Sequence, residues 1–126
     1  MIQPDGVAAH ILVVEDDTLI ALDIEQMLTD LGAVRVTVAH DLSMALRSLE
    51  AGWPDMAILD LHLGAHDSLP LARLLAAAGK PFLFLTGYHE QHMAKLRDHD
   101  CAAHVMEKPF SIEALAKVVL RMLKAL

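Results

Sequence analysis

Four or five short apolar runs alternate with longer segments of helical period along this chain, a pattern that predicts repeated strand–helix units rather than internal sequence repeats. His10 to Val14 reads as a first strand, apolar enough to be covered on both faces as parallel strands are. In the segment after it Ile20, Ile24, Met27 and Leu31 recur at spacings of four, three and four, with Asp23, Glu25 and Asp30 at wetter positions, and Gly32 supplies the stop. Val34 to Val38 is β-branched but broken by Arg35 and Thr37, which places a second strand toward a sheet edge. A second helix runs from about Leu42 to Glu50 until Gly52-Trp53-Pro54 breaks it, and Met56 to Leu59 forms the third strand, the most apolar stretch before Asp60.

Ser68-Leu69-Pro70 marks the start of a third helix, since proline is tolerated in a first turn where no internal N–H partner is needed, and this helix ends at Gly79. Pro81 to Leu85 is a fourth strand, Glu90 to Asp98 a polar, His-rich fourth helix, and His104 to Met106 a short fifth strand. In the last helix Ile112, Leu115, Ala116, Val119, Leu120 and Leu123 share one apolar face, Ser111 stands at the N-cap, and Glu113 and Lys117 can pair across one turn.

This alternation predicts an α/β fold of the flavodoxin-like kind: a (βα)5 three-layer sandwich around a five-stranded parallel sheet, strand order 2-1-3-4-5, with right-handed crossovers. Such sheets bind ligands beyond the carboxyl ends of their strands. Those ends are Glu15-Asp16-Asp17, Asp60, Thr86-Gly87 and Glu107-Lys108-Pro109, and the fold should bring all four to one rim. Carboxylates gathered there resist ionising unless a divalent cation and an ammonium compensate them, which makes Mg2+ and Lys108 the natural partners. Mg2+ prefers oxygen ligands and keeps several waters, so an open carboxylate rim suits it. An aspartate so placed can attack phosphorus and form an acyl phosphate, a transfer that rests on positioning and electrostatics more than on acid–base machinery. Thr86 offers a hydroxyl to the arriving group, and Gly87 leaves the approach to Asp60 open.

Composition narrows the possibilities chiefly by exclusion. A length of 126 residues suits one domain, 1–126, with residues 1–8 as an N-terminal extension. With 55% hydrophobic residues and a mean hydropathy of +0.40, a buried core is affordable and disorder is excluded. No apolar run is long enough to cross a bilayer and no secretory signal opens the chain, so a soluble cytoplasmic protein without membrane contact is expected. The single cysteine, Cys101, carries no mark of an oxidising compartment. A net charge of −7 disfavours binding to nucleic acid.

Val13-Val14-Glu15-Asp16-Asp17, Leu59-Asp60-Leu61, Leu85-Thr86-Gly87 and Lys108-Pro109-Phe110 together resemble the receiver domain of bacterial response regulators, over nearly the whole chain. Pro81-Phe82-Leu83-Phe84-Leu85-Thr86-Gly87-Tyr88 further resembles the single-domain FAT GUY regulators, with Leu85 where their alanine stands. The resemblance implies that Asp60 is the phosphoacceptor, Thr86 the switch hydroxyl and Lys108 the lysine that neutralises the transferred group. Asp16, Asp60 and the backbone carbonyl of His62 would ligate Mg2+, with Glu15 acting largely through water. It further implies a cis Lys108-Pro109 bond, a histidine kinase or phosphotransfer protein as phosphodonor, and a monomer or weak dimer. A downstream protein partner would bind the face made by the fourth helix, fifth strand and last helix, with no turnover beyond slow self-dephosphorylation.

The chain departs from the family in having Val105 where an aromatic switch residue is common, with Tyr88 as the substitute sensor, and Gly64 where many receivers carry proline. Rival readings are a phosphate sink that binds no effector, a receiver that is never phosphorylated, and a Mg2+-dependent phosphohydrolase. Asp60-Leu61-His62 lacks the second aspartate that haloacid-dehalogenase-type phosphatases use as an acid. His62 with His66, and His89 with His92, have metal-like spacing but no accompanying ligand cluster, and read as solvated side chains. Trp53 reads as a loop residue packed against the sheet edge.

Overall fold

The computed structural model of the protein describes residues 9–32, 35–64, 66–87 and 104–126. In chain order the elements are β1 (His10–Val14), α1 (Thr18–Asp30), β2 (Arg35–Ala39), α2 (Leu42–Ala51), β3 (Met56–Asp60), β4 (His62–Leu63), β5 (His66–Asp67), α3 (Leu69–Ala77), β6 (Phe82–Thr86), β7 (Val105–Glu107) and α4 (Ile112–Lys124). Five strands form a parallel sheet in the order β2-β1-β3-β6-β7. This is the expected 2-1-3-4-5 order once the two short strands β4 and β5 are passed over in the count. Arg35–Ala39 lies at an edge, as its polar interruptions require.

Alternating side chains divide the core between the two faces of the sheet. Leu12 and Val14 of β1, Ala57 and Leu59 of β3, and Phe82 and Phe84 of β6 pack with Ala45 and Leu49 of α2 and Leu71, Ala72 and Leu75 of α3. On the opposite face Ile11, Val13, Met56, Ile58, Leu83 and Leu85 meet Ile24, Met27 and Leu28 of α1 and Leu115, Val119 and Leu123 of α4. Every residue of β3 and β6 is buried, and each large aliphatic side chain so buried contributes about 1.5–3 kcal/mol.

The helices begin where polar side chains take up free N–H groups. The Asp17 carboxylate accepts from Leu19 N (2.9 Å) and Ile20 N (3.1 Å), and Asp41 accepts from Met44 N at 2.7 Å. Ser111 Oγ accepts from Ala114 N at 3.1 Å. Ser68 occupies the N-cap of α3 without capping it: Asp67 Oδ1 takes the Leu69 N–H instead at 3.0 Å, and the buried Ser68 Oγ has no hydrogen-bond partner among the described residues.

Several details differ from the sequence reading. The third and fourth expected strands extend through Asp60 and Thr86, and the fifth runs Val105–Glu107. The buried face of α1 is Ala21, Ile24, Met27 and Leu28, with Ile20 and Leu31 only half-buried. In the loop before β3, Trp53 is 45% exposed while Pro54 is buried. After Asp60 the chain forms an unforeseen two-stranded antiparallel ribbon, His62 opposite Asp67 and Leu63 opposite His66, with Gly64 at φ +65°. The expected His-rich helix, Tyr88, His89, His92, Cys101, Val34 and residues 1–8 lie outside the described residues.

Candidate functional site

Register places the carboxyl ends of the strands side by side. Val14 stands opposite both Ala39 and Leu59, Asp60 opposite Leu85, and Thr86 opposite Glu107. The residues that follow therefore share one rim. Glu15 N donates to Ala39 O at 3.0 Å, Leu61 N to Leu85 O at 2.9 Å, and Lys108 N to Thr86 O at 2.8 Å, each bond carrying the sheet's pairing one residue beyond a strand end.

On that rim Glu15, Asp16 and Asp60 each present a carboxylate oxygen, the three lying within 4.8 Å of one another. Glu15 is fully buried, Asp60 is 5% exposed and Asp16 is exposed. Lys108 Nζ reaches across to Glu15 Oε1 at 2.8 Å and Asp60 Oδ2 at 3.2 Å, and the Lys108-Pro109 peptide bond is cis. The other oxygens are engaged too: Asp17 N donates to Glu15 Oε2 at 3.1 Å and His62 N to Asp60 Oδ1 at 3.2 Å. Thr86 is buried at the end of β6, next to this cluster in the sheet.

Electrostatics follow from burial. Desolvation pushes the Glu15 carboxyl up to about 7 against the pull of Lys108, and the neighbouring Asp60 adds to the rise. Burial also raises Asp60 above the ordinary carboxylate value, opposed by Glu15, Lys108 and the His62 N–H. Burial alone would lower Lys108, but its hydrogen bond to Glu15 and the charges of both acids outweigh it and raise the ammonium. Three carboxylates face one ammonium, formally −3 against +1. This all-oxygen donor set with uncompensated negative charge, part buried and part open, fits a hard divalent cation such as Mg2+.

Every side chain singled out for the site thus lies on one rim, while Asp17 serves as the cap of α1. Of His62 the backbone N–H touches Asp60. Among the described residues, a Cβ added to Gly87 would meet nothing within 4 Å. The sequence reading missed His40, whose Nδ1 lies 3.2 Å from Glu15 O. A carbonyl only accepts, so Nδ1 carries the hydrogen. The one signal that could have found it is its position directly after β2, on the same rim as the acids.

The family profile described as the response regulator receiver domain matches residues 11–120. The chain belongs to that family, the receiver domains of two-component signalling. Among its relatives, the transcriptional regulatory protein PdtaR of Mycobacterium tuberculosis is 30% identical over 116 residues, 90% of this chain and 56% of that protein. The regulatory protein VirG of Agrobacterium tumefaciens is 33% identical over 112 residues, 86% of this chain and 42% of that protein. The chain therefore spans about half the length of the curated relatives it matches. A solved signal receiver domain of a signal transduction histidine kinase from Syntrophus aciditrophicus superposes with a TM-score of 0.81 at 27% identity, covering 94% of this chain and 92% of that one.

Proposed function

We propose that Asp60 accepts a phosphoryl group from a histidine kinase or phosphotransfer protein in the cytoplasm and that the loaded domain is bound differently by a downstream protein partner. The observation that carries this reading is the convergence of Glu15, Asp16 and Asp60 within 4.8 Å, with the Lys108 ammonium on two of them. Asp16, Asp60 and the His62 carbonyl would hold Mg2+ directly, with Glu15 acting largely through water. When bound, the cation neutralises charge on the transferred oxygens.

An Asp60 carboxylate oxygen attacks phosphorus while the P–N bond of the donor phosphohistidine breaks and its nitrogen keeps the electron pair. Lys108, already against Asp60 Oδ2, supplies positive charge to the incoming oxygens. The buried Thr86 hydroxyl takes a phosphoryl oxygen as hydrogen-bond acceptor. Water later cleaves the acyl phosphate, returning the carboxylate and inorganic phosphate, and so resets the domain slowly. The phosphoryl group shifts the domain's equilibrium only as far as it binds the two states differently.

Asp60→Ala should abolish Mg2+-dependent labelling by acetyl phosphate, read by phosphate-affinity gel or intact mass. Labelling that persists in this variant overturns the assignment. A pull-down with and without beryllofluoride separates a relay, which gains or loses a partner, from a phosphate sink, which does not.

A further inference from the structure

The basic residues of α4 fall in one row. Lys117, Arg121 and Lys124 follow one another at i, i+4 and i+7, so they form one stripe, and all three are exposed. Leu115, Val119, Met122 and Leu123 bury the opposite side of the same helix, so the stripe runs along its outward crest. Lys108 has two carboxylates within 3.2 Å, whereas among the described residues none of these three cations has an ion-pair partner. Half-buried Leu120 lies between them, and the four residues line one shallow depression of about 430 Å³. Arg121 also borders a groove of about 390 Å³ lined by Leu83, His104, Val105, Val118, Met122 and Ala125, beside the edge strand β7.

Three of the chain's ten lysines and arginines are thus unpaired on two turns of helix in a molecule of net charge −7. Basic side chains near a helix C-terminus are favourable without any ligand. That accounts for Arg121 and Lys124 in the last turn, but it does not reach Lys117 one turn earlier.

We propose that this crest is the docking surface for an acidic amphipathic helix of a protein partner, with carboxylates at the same i, i+4, i+7 spacing and an apolar residue against Leu120. Opposite charge selects the partner and speeds encounter, while the apolar contact and the adjoining groove hold it. The inference deepens the reading of a downstream protein partner by naming that partner's chemistry, and it rests on that reading.

The test uses the full chain and a synthetic amphipathic peptide of about five helical turns, with glutamates at the stated spacing and one leucine between them. Fluorescence anisotropy is measured at about 50 mM and about 300 mM salt. Binding should weaken at the higher salt. The triple variant Lys117→Glu, Arg121→Glu, Lys124→Glu should bind at least about tenfold more weakly, while its thermal midpoint and acetyl-phosphate labelling of Asp60 stay at the wild-type level. A peptide with lysines in place of the glutamates should bind the triple variant and not the wild type. Equal affinity of both peptides for both proteins overturns the proposal, as does binding only to a homopolymeric RNA or to phosphatidylserine vesicles. Loss of labelling in the wild-type chain would instead count against the phosphoacceptor reading and leave the crest's specificity standing.

Discussion

At the scale of single residues, Lys108 and Ser68 mark the two ways a buried polar group can be placed. Lys108 compensates two carboxyls that burial has already disfavoured as anions. Lys108→Ala leaves them without a counter-charge and should cost about 1–3 kcal/mol at pH 8, measured by chemical denaturation, and less near pH 5, where both can protonate. The same variant should lose the beryllofluoride-dependent change in partner binding while keeping most of its Mg2+ affinity, because an ammonium is no metal ligand. Ser68 is the converse, a buried hydroxyl with no hydrogen-bond partner among the described residues. Ser68→Ala removes an unsatisfied group and should be neutral or raise stability by up to about 1 kcal/mol. A loss larger than that would mean the hydroxyl has a partner. Asp60 and Lys108 were legible from sequence because their position at strand ends is enough to imply convergence. The full burial of Glu15 was not legible, since nothing in Glu15-Asp16-Asp17 distinguishes three adjacent acids until Ala39, Lys108 and the start of α1 surround them.

At the scale of elements those three acids separate. Asp17 caps α1 through Leu19 N and Ile20 N, so Asp17→Ala should cost about 1 kcal/mol with little change in Mg2+ affinity by titration calorimetry. Asp16→Ala should do the reverse, sparing stability and weakening Mg2+ binding. Equal loss of stability in both would contradict this division. Strands β1, β3 and β6 were readable as apolar runs because both of their faces are covered, and α4 because its apolar face is sharply periodic. The β4–β5 ribbon escaped the reading because two-residue strands carry no periodic signal. It is held by contacts distant in sequence or backbone in nature: Leu63 is buried among the core side chains, Ser68 N donates to Leu61 O at 3.0 Å, and His62 N is drawn to Asp60. The burial of Pro54 beside a 45% exposed Trp53 was not legible either, since either member of a Trp-Pro pair can fill an apolar gap.

At the scale of the whole molecule, the raised carboxyls tie stability to pH. Glu15 moves from its ordinary 4.5 to about 7 on folding, so its contribution to stability is fully present below pH 4.5 and is lost as pH rises through about 7. Asp60 is raised as well and works in the same direction. His10 opposes them: burial and Arg35 hold its ring below 6.5, so its contribution is present above that value and falls away in acid. Without divalent cations the thermal midpoint should therefore be higher at pH 5.5 than at pH 8, and Glu15→Gln should flatten the difference. Mg2+, which needs the ionised carboxylates, should raise the midpoint more at pH 8 than at pH 5.5. A wild-type profile that rises with pH and is unchanged in Glu15→Gln would refute the assignment. The salt bridge from Lys108 to Glu15 spans 93 residues. A polypeptide cut short anywhere before that lysine would lack the ammonium that faces the buried acid just beyond its opening strand. Such truncated products should be digested by proteases at sites the full-length fold shields, so this one ion pair tells whole chains from cut ones.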